Sequence, residues 1–252
     1  MEITSQSQAS LTVVADIPLP PGYKRASLDS QSFGQWLRSI PLKKDRQVYL
    51  YNGQLKRNQS AQFVVMDIPV GKKDLQQCAD AVMRLRAEYF LKQEQLNKIV
   101  FKATDGTILS FADWREGVRY RLSGSRLISS RQNPGNNSLQ SDFESFLETV
   151  FMYCGTYSLQ SETRAINISD MQPGDVFVQG GSPGHAMIVM DMAINEAGHK
   201  IFMLAQSYMP AQDIHIVKNP HEEESTPWFE IDREQPIITP QWQFETSQLR
   251  RW

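Results

Sequence analysis

The chain has 252 residues, a formal charge of −2 and 40% hydrophobic residues, the composition of a globular protein long enough to bury a core. That charge lacks the basic excess that nucleic-acid or anionic-membrane binding normally needs, and no apolar run approaches the ~20 residues of a membrane span. Two cysteines, Cys78 and Cys154, make no disulfide framework, and no Cys/His spacing suggests a metal or other cofactor. Two buried thiols are the reading favoured over a single Cys78–Cys154 bridge.

Residues 1–15 are polar and expected to fray, leaving 16–252 as one domain. The N-terminus shows neither a basic nor an apolar signal region, so either the protein stays in the cytoplasm or a leader was removed and it belongs to the cell envelope. Pro18, Pro20 and Pro21 make an extended lead-in. Ser30–Leu37 reads as a short helix capped by Ser30, and Val48–Tyr51 and Ala61–Ile68 read as strands.

The clearest helix runs from Lys73 to about Leu96. Asp74 and Gln77 have capping-box spacing, and Leu75, Cys78, Val82, Leu85 and Tyr89 recur every three or four residues. This stripe puts Cys78 on the core face as a small hydrophobe with no reactive role. Asp105-Gly106 signals a hairpin between Ile99–Phe101 and Thr107–Phe111. Trp114, Arg115 and Arg119 form either a stacking and carboxylate-binding wall or a loop pinned by a buried Trp. Residues 129–140 are the best candidate for a mobile loop or internal boundary. Ser141 with Glu144 opens a helix through about Tyr153, and Gly155 is its natural stop. Ser158 either caps the next short helix or presents its hydroxyl.

Gln172–Pro210 holds the histidine whose surroundings look arranged for chemistry. Val176–Val178, His185–Ile194 and His199–Met209 read as strands separated by glycine turns, with His185 the first residue out of the turn. A symmetric turn at Asn195–Gly198 pairs Ile194 with His199. His185 then faces Tyr208, Met187 faces Gln206, and all four share one sheet face. Gln206 sits diagonally across from His185, where an orienting partner for the imidazole belongs. His199 and His221 read as solvated, the latter in the acidic loop 221–224, and His215 points away from Ile214 and Ile216. Asp213–Lys218 and Trp228–Ile231 add strands, and the tail 239–244 packs aromatics onto the body.

A helix, then Pro-Gly-Asp, a strand, a glycine turn and Gly-His opening an apolar strand is an order similar to papain-like cell-wall peptidases and amidases of the NlpC type. Over most of its length the chain more closely resembles an uncharacterised bacterial family, a domain of unknown function. LQQCADAVMRLRAEYF, FADWREGVR, YCGTYSL, MQPGDVFVQGGSPGHAMIV, LAQSYMPAQ and TPWF carry that likeness. It implies a bacterial protein whose relatives are usually exported or lipid-anchored.

The expected architecture is α+β, with a papain-like antiparallel sheet or half-barrel from residues 172–231 packed against helices of the N-terminal part. The expected function is hydrolysis of peptide or amide bonds, with a peptide or peptidoglycan-like ligand. Cys154 would attack, His185 would act as base and Gln206 would orient it. Trp114, Arg115, Arg119, Ser158 and Tyr208 are the candidate substrate contacts. A Cys154 at a helix C-terminus, where the dipole disfavours a thiolate, weakens that nucleophile. The alternative is a non-catalytic binding or structural protein that keeps the cleft.

Overall fold

The computed structural model describes residues 11–222, 225–231 and 235–252. Residues 1–10 and part of the acidic loop 221–224 fall outside that range. Residues 11–16 do not fray: Val14 is fully buried, its N–H donates to the Ile40 carbonyl, and the Asp16 carboxylate accepts the Thr12 and Val13 N–H groups.

In chain order the first elements are β1 (Tyr23–Arg25), α1 (Phe33–Arg38), β2 (Gln62–Val65), α2 (Cys78–Lys92), β3 (Val100–Lys102) and β4 (Ile108–Ser110). They are followed by α3 (Phe111–Arg115), β5 (Val118–Ser123), β6 (Arg126–Arg131), α4 (Leu139–Tyr153), α5 (Thr156–Glu162) and β7 (Arg164–Ala165). The C-terminal part contributes β8 (Val176–Gln179), β9 (His185–Asn195), β10 (Lys200–Gln206), β11 (His215–Val217), β12 (Trp228–Glu230), β13 (Ile237–Ile238), β14 (Gln243–Phe244) and β15 (Leu249–Arg251). The fold is α+β with antiparallel sheets.

Three helix starts differ from expectation, each for a capping reason. The hydroxyl of Ser32, not Ser30, accepts the Gln35 N–H and starts α1. Ser138, not Ser141, caps α4 by accepting the Ser141 N–H, and Gly155 opens α5 instead of merely ending α4. The third is α2, which begins five residues later than Lys73. The Asp74 carboxylate accepts the Ala211 N–H at 2.7 Å, and the Gln76 carbonyl accepts the Ser207 hydroxyl at 2.9 Å. Residues 74–76 are thereby tied to the segment that follows β10. Asp80 takes over the capping, accepting the Gln77 N–H at 2.9 Å, so the first helical residue is Cys78.

The large sheet has nine strands, in the order β2-β11-β10-β9-β8-β15-β7, with β1 on β9 and β12 on β10. It therefore reaches beyond residues 172–231 and recruits strands from both ends of the chain. Both faces are buried. Alternate residues of β9 such as Ala186, Ile188 and Met190 pack with α2 and α4, whereas Met187 and Val189 pack with Phe202, Leu204 and Phe244. The β9–β10 hairpin starts one residue off the expected register, with Ile194 opposite Lys200 and Met203 opposite Asp191. A bulge between Met203 and Leu204 removes the offset, so Leu204 faces Val189 and Ala205 faces Ile188, as expected.

One buried charge cluster fastens the N-terminal part to β9. Asp191, fully buried, accepts from the Arg25 and Arg38 guanidinium groups at 2.7 Å each, and these also donate to the Ile17 and Ala26 carbonyls. Asp191→Ala would leave two guanidinium groups around an empty site. It is expected to cost about 3–5 kcal/mol in urea unfolding, the usual penalty for breaking a buried ion pair from one side.

Candidate functional site

His185 leaves a turn that only glycine can close. A Cβ on Gly184 would come within 2.5 Å of both the Gly181 carbonyl oxygen and the Thr156 hydroxyl, and within 2.8 Å of the Gln179 carbonyl. That packing presses the start of α5 against the turn and fixes where β9 begins.

The His185 ring is buried between Tyr208, Trp242 and Phe244, with ring centroids 5.0, 5.1 and 5.9 Å away. Its Nε2 lies 2.7 Å from Gln206 Oε1. The amide of Gln206 is held from behind: its Nε2 lies 2.9 Å from Gln241 Oε1 and 3.3 Å from His215 Nε2. His215 Nδ1 lies 2.9 Å from the Asp213 carbonyl, and Lys56 Nζ donates to Gln241 Oε1 at 2.8 Å. Only one assignment satisfies this chain. A carbonyl can only accept, so His215 Nδ1 carries the proton and its Nε2 is an acceptor. The Gln206 amide then points its NH2 at His215 and Gln241, and its oxygen at His185. His185 Nε2 therefore donates, and Nδ1 holds the free lone pair.

Cys78 lines the same cavity as His185, a space of about 560 Å³ that also touches Asp80, Cys154, Tyr208 and Trp242. The backbone N–H groups of Ala79, Ala186 and Cys78 favour the Cys78 anion, as a helix N-terminus does. Burial and the nearby Asp80 outweigh them and push the thiol up to about 11. Burial likewise pushes the His185 imidazole down to about 4 and His215 to about 3, with the Lys56 ammonium adding to both. Burial also lowers Lys56 itself, to about 8. At neutral pH the cavity thus holds an uncharged thiol and an uncharged imidazole.

These two histidines set an acid limit on stability. Unfolded imidazoles titrate near 6.5, so below that pH the unfolded state binds more protons than the folded one. Stability is fully present above about pH 7 and is expected to fall through pH 6.5 toward 4, by up to about 1.4 kcal/mol per pH unit for each histidine. Urea titrations at a series of pH values measure that slope, and His215→Phe should flatten it.

The remaining candidates are placed as follows. Cys154 caps the C-terminus of α4, its N–H donating to the Val150 carbonyl; it touches the cavity, and burial raises its thiol far above the usual range. Ser158 is buried and exchanges hydrogen bonds with the Gly155 backbone, the capping role, away from the cavity lining. Tyr208 lines the cavity. Trp114, Arg115 and Arg119 are not brought to it. Arg115 pairs with Asp142, and Arg119 lies 4.1 Å over the Trp114 ring while donating to the Trp114 and Val118 carbonyls. Cys78, Lys56, His215 and Gln241 are the residues that sequence reasoning passed over. The pairing of Gln206 with His215 across β10 and β11 was the available signal for one of them. Among the described residues no group of His, Cys, Asp and Glu could hold a metal ion, and no helix is long and apolar enough to cross a membrane.

Residues 13–251 match a family model described as "Domain of unknown function (4846)". No curated protein and no solved structure matches the chain.

Proposed function

The chain belongs to this family of unknown function, and for it we propose a papain-like cysteine hydrolase that cleaves peptide or amide bonds, with Cys78 rather than Cys154 as nucleophile. The observation that carries the reading is the position of Cys78. It is the first residue of α2, and it lines one cavity with His185. A thiol at a helix start beside a histidine base is the setting in which cysteine nucleophiles work.

In this reading His185 Nδ1 takes the thiol proton as sulfur attacks the substrate carbonyl carbon. The carbonyl oxygen becomes an oxyanion, which the N–H groups at the start of α2 can stabilise. His185 then gives its proton to the departing amine as the C–N bond breaks, leaving a thioester on Cys78. Water attacks the thioester, His185 takes its proton, and acid and free thiol are released. Gln206 keeps Nε2 protonated throughout, so Nδ1 is always the nitrogen that exchanges the proton. The order of elements resembles that of NlpC-type enzymes, and that resemblance favours cell-wall peptides as the material cleaved.

The high thiol and low imidazole favour one rival, a cleft that binds without turnover. Iodoacetamide labelling followed by peptide mapping separates the two. Fast alkylation at Cys78 already at neutral pH, and its protection by a peptide amide, support the hydrolase; a Cys78 that reacts only as the pH climbs toward 11 supports the binder. Cys154 labelling ahead of Cys78 would sink the hydrolase reading.

A further inference from the structure

A second hollow, of about 630 Å³, lies between α2, α4 and the segment 69–76. It shares Leu75 and Phe151 with the His185 cavity, so the two hollows adjoin, with these side chains between them. We infer that this hollow receives the rest of an extended, largely apolar peptide whose scissile bond lies at Cys78. The inference rests on the hydrolase reading and names its substrate class.

Three properties select that occupant. The walls are apolar at Val70, Leu75, Leu147 and Phe151, and two exposed methionines, Met152 (52%) and Met209 (60%), continue the apolar character around the His185 cavity. The charges present are largely matched. Arg84 pairs with Glu88 and Lys73 with Glu148, at 2.7 and 2.8 Å, so neither a strongly acidic nor a strongly basic ligand is selected. Gln76, fully buried on the hollow's floor, spends its Oε1 on Arg84 but leaves Nε2 without a partner. A buried amide donor with no acceptor is costly unless something brings one, and a peptide carbonyl is the acceptor an extended chain supplies along its length. Two residues after Gln76, the same strand of chain delivers Cys78. Binding energy gathered in the hollow is therefore gathered next to the reacting bond.

The test compares turnover of an internally quenched hexapeptide of Ala, Leu and Phe with that of a blocked dipeptide amide, in the wild-type chain and in Val70→Asp and Glu144→Trp, which alter opposite walls. The hexapeptide is expected to be preferred in kcat/KM, and each variant to reduce that preference by about tenfold. Equal rates on both lengths, or variants that leave the ratio untouched, overturn the hollow's role while leaving the hydrolase reading intact. No turnover of either length overturns both.

Discussion

Cys78→Ser is expected to lower kcat/KM on any amide substrate by at least about 10³, because a serine at this position has neither the acidity nor the nucleophilicity of the thiol it replaces. Cys154→Ser, in the same cavity lining, is expected to stay within a few-fold of wild type. The contrast is sharper than either value alone, since both thiols are buried and only their settings differ. Cys78 stands at a helix start, where N–H groups favour an anion, whereas Cys154 closes a helix at the end where an anion is disfavoured. Folding is checked by the thermal midpoint, which a one-atom exchange should move little. A Cys154 variant as dead as the Cys78 variant would return the nucleophile to Cys154.

Gln206→Leu carries the second large effect, and it falls on stability and rate together. Gln206 is 1% exposed, and its amide meets His185, His215 and Gln241 at once. Leucine fills most of the volume but leaves the His185 donor and the His215 acceptor facing apolar carbon, while Gln241 Oε1 keeps Lys56; the loss is about 2 kcal/mol or more at 1–3 kcal/mol per stranded group. With the amide oxygen gone, nothing fixes the proton on His185 Nε2. The ring can then present a protonated Nδ1 to the thiol and fail as its base. We expect kcat to fall on the order of a hundredfold with KM little changed. The ¹⁵N spectrum of the His185 imidazole should show a mixture of tautomers in place of one. Destabilisation with unchanged kcat and a single tautomer would reduce Gln206 to a packing residue.

Much of this frame was legible in the sequence, and the failures are instructive. Alternation and turn residues marked β8, β9 and β10, and turn symmetry placed Gln206 within reach of His185. The bulge at Met203 was invisible to pattern, yet it is what restores that register. The error at α2 was more consequential. Asp74 with Gln77 and Gln77 with Asp80 both have capping spacing, and periodicity runs through either start. What decides between them is Ala211, 137 residues away, which claims the Asp74 carboxylate. Local spacing holds no trace of that bond, so the pattern alone places Cys78 within the helix, on its core face. Contacts made in the fold set the roles of Arg115 and Arg119 in the same way: their partners, Asp142 and the Trp114 and Val118 carbonyls, are apparent only once the chain has folded. Lys56 and Gln241 reach the site from loops with no periodic signature at all.

The cover over His185 has a consequence for timing. Gln241, Trp242 and Phe244 arrive last among the groups around that ring, after the strand that carries it and the strand that carries Gln206. A ribosome still short of residue 241 therefore holds a chain whose thiol and imidazole are both made, but whose amide relay is missing its anchor to Lys56. On the proposed hydrolase reading, the relay that orients His185 is complete only once the final stretch docks.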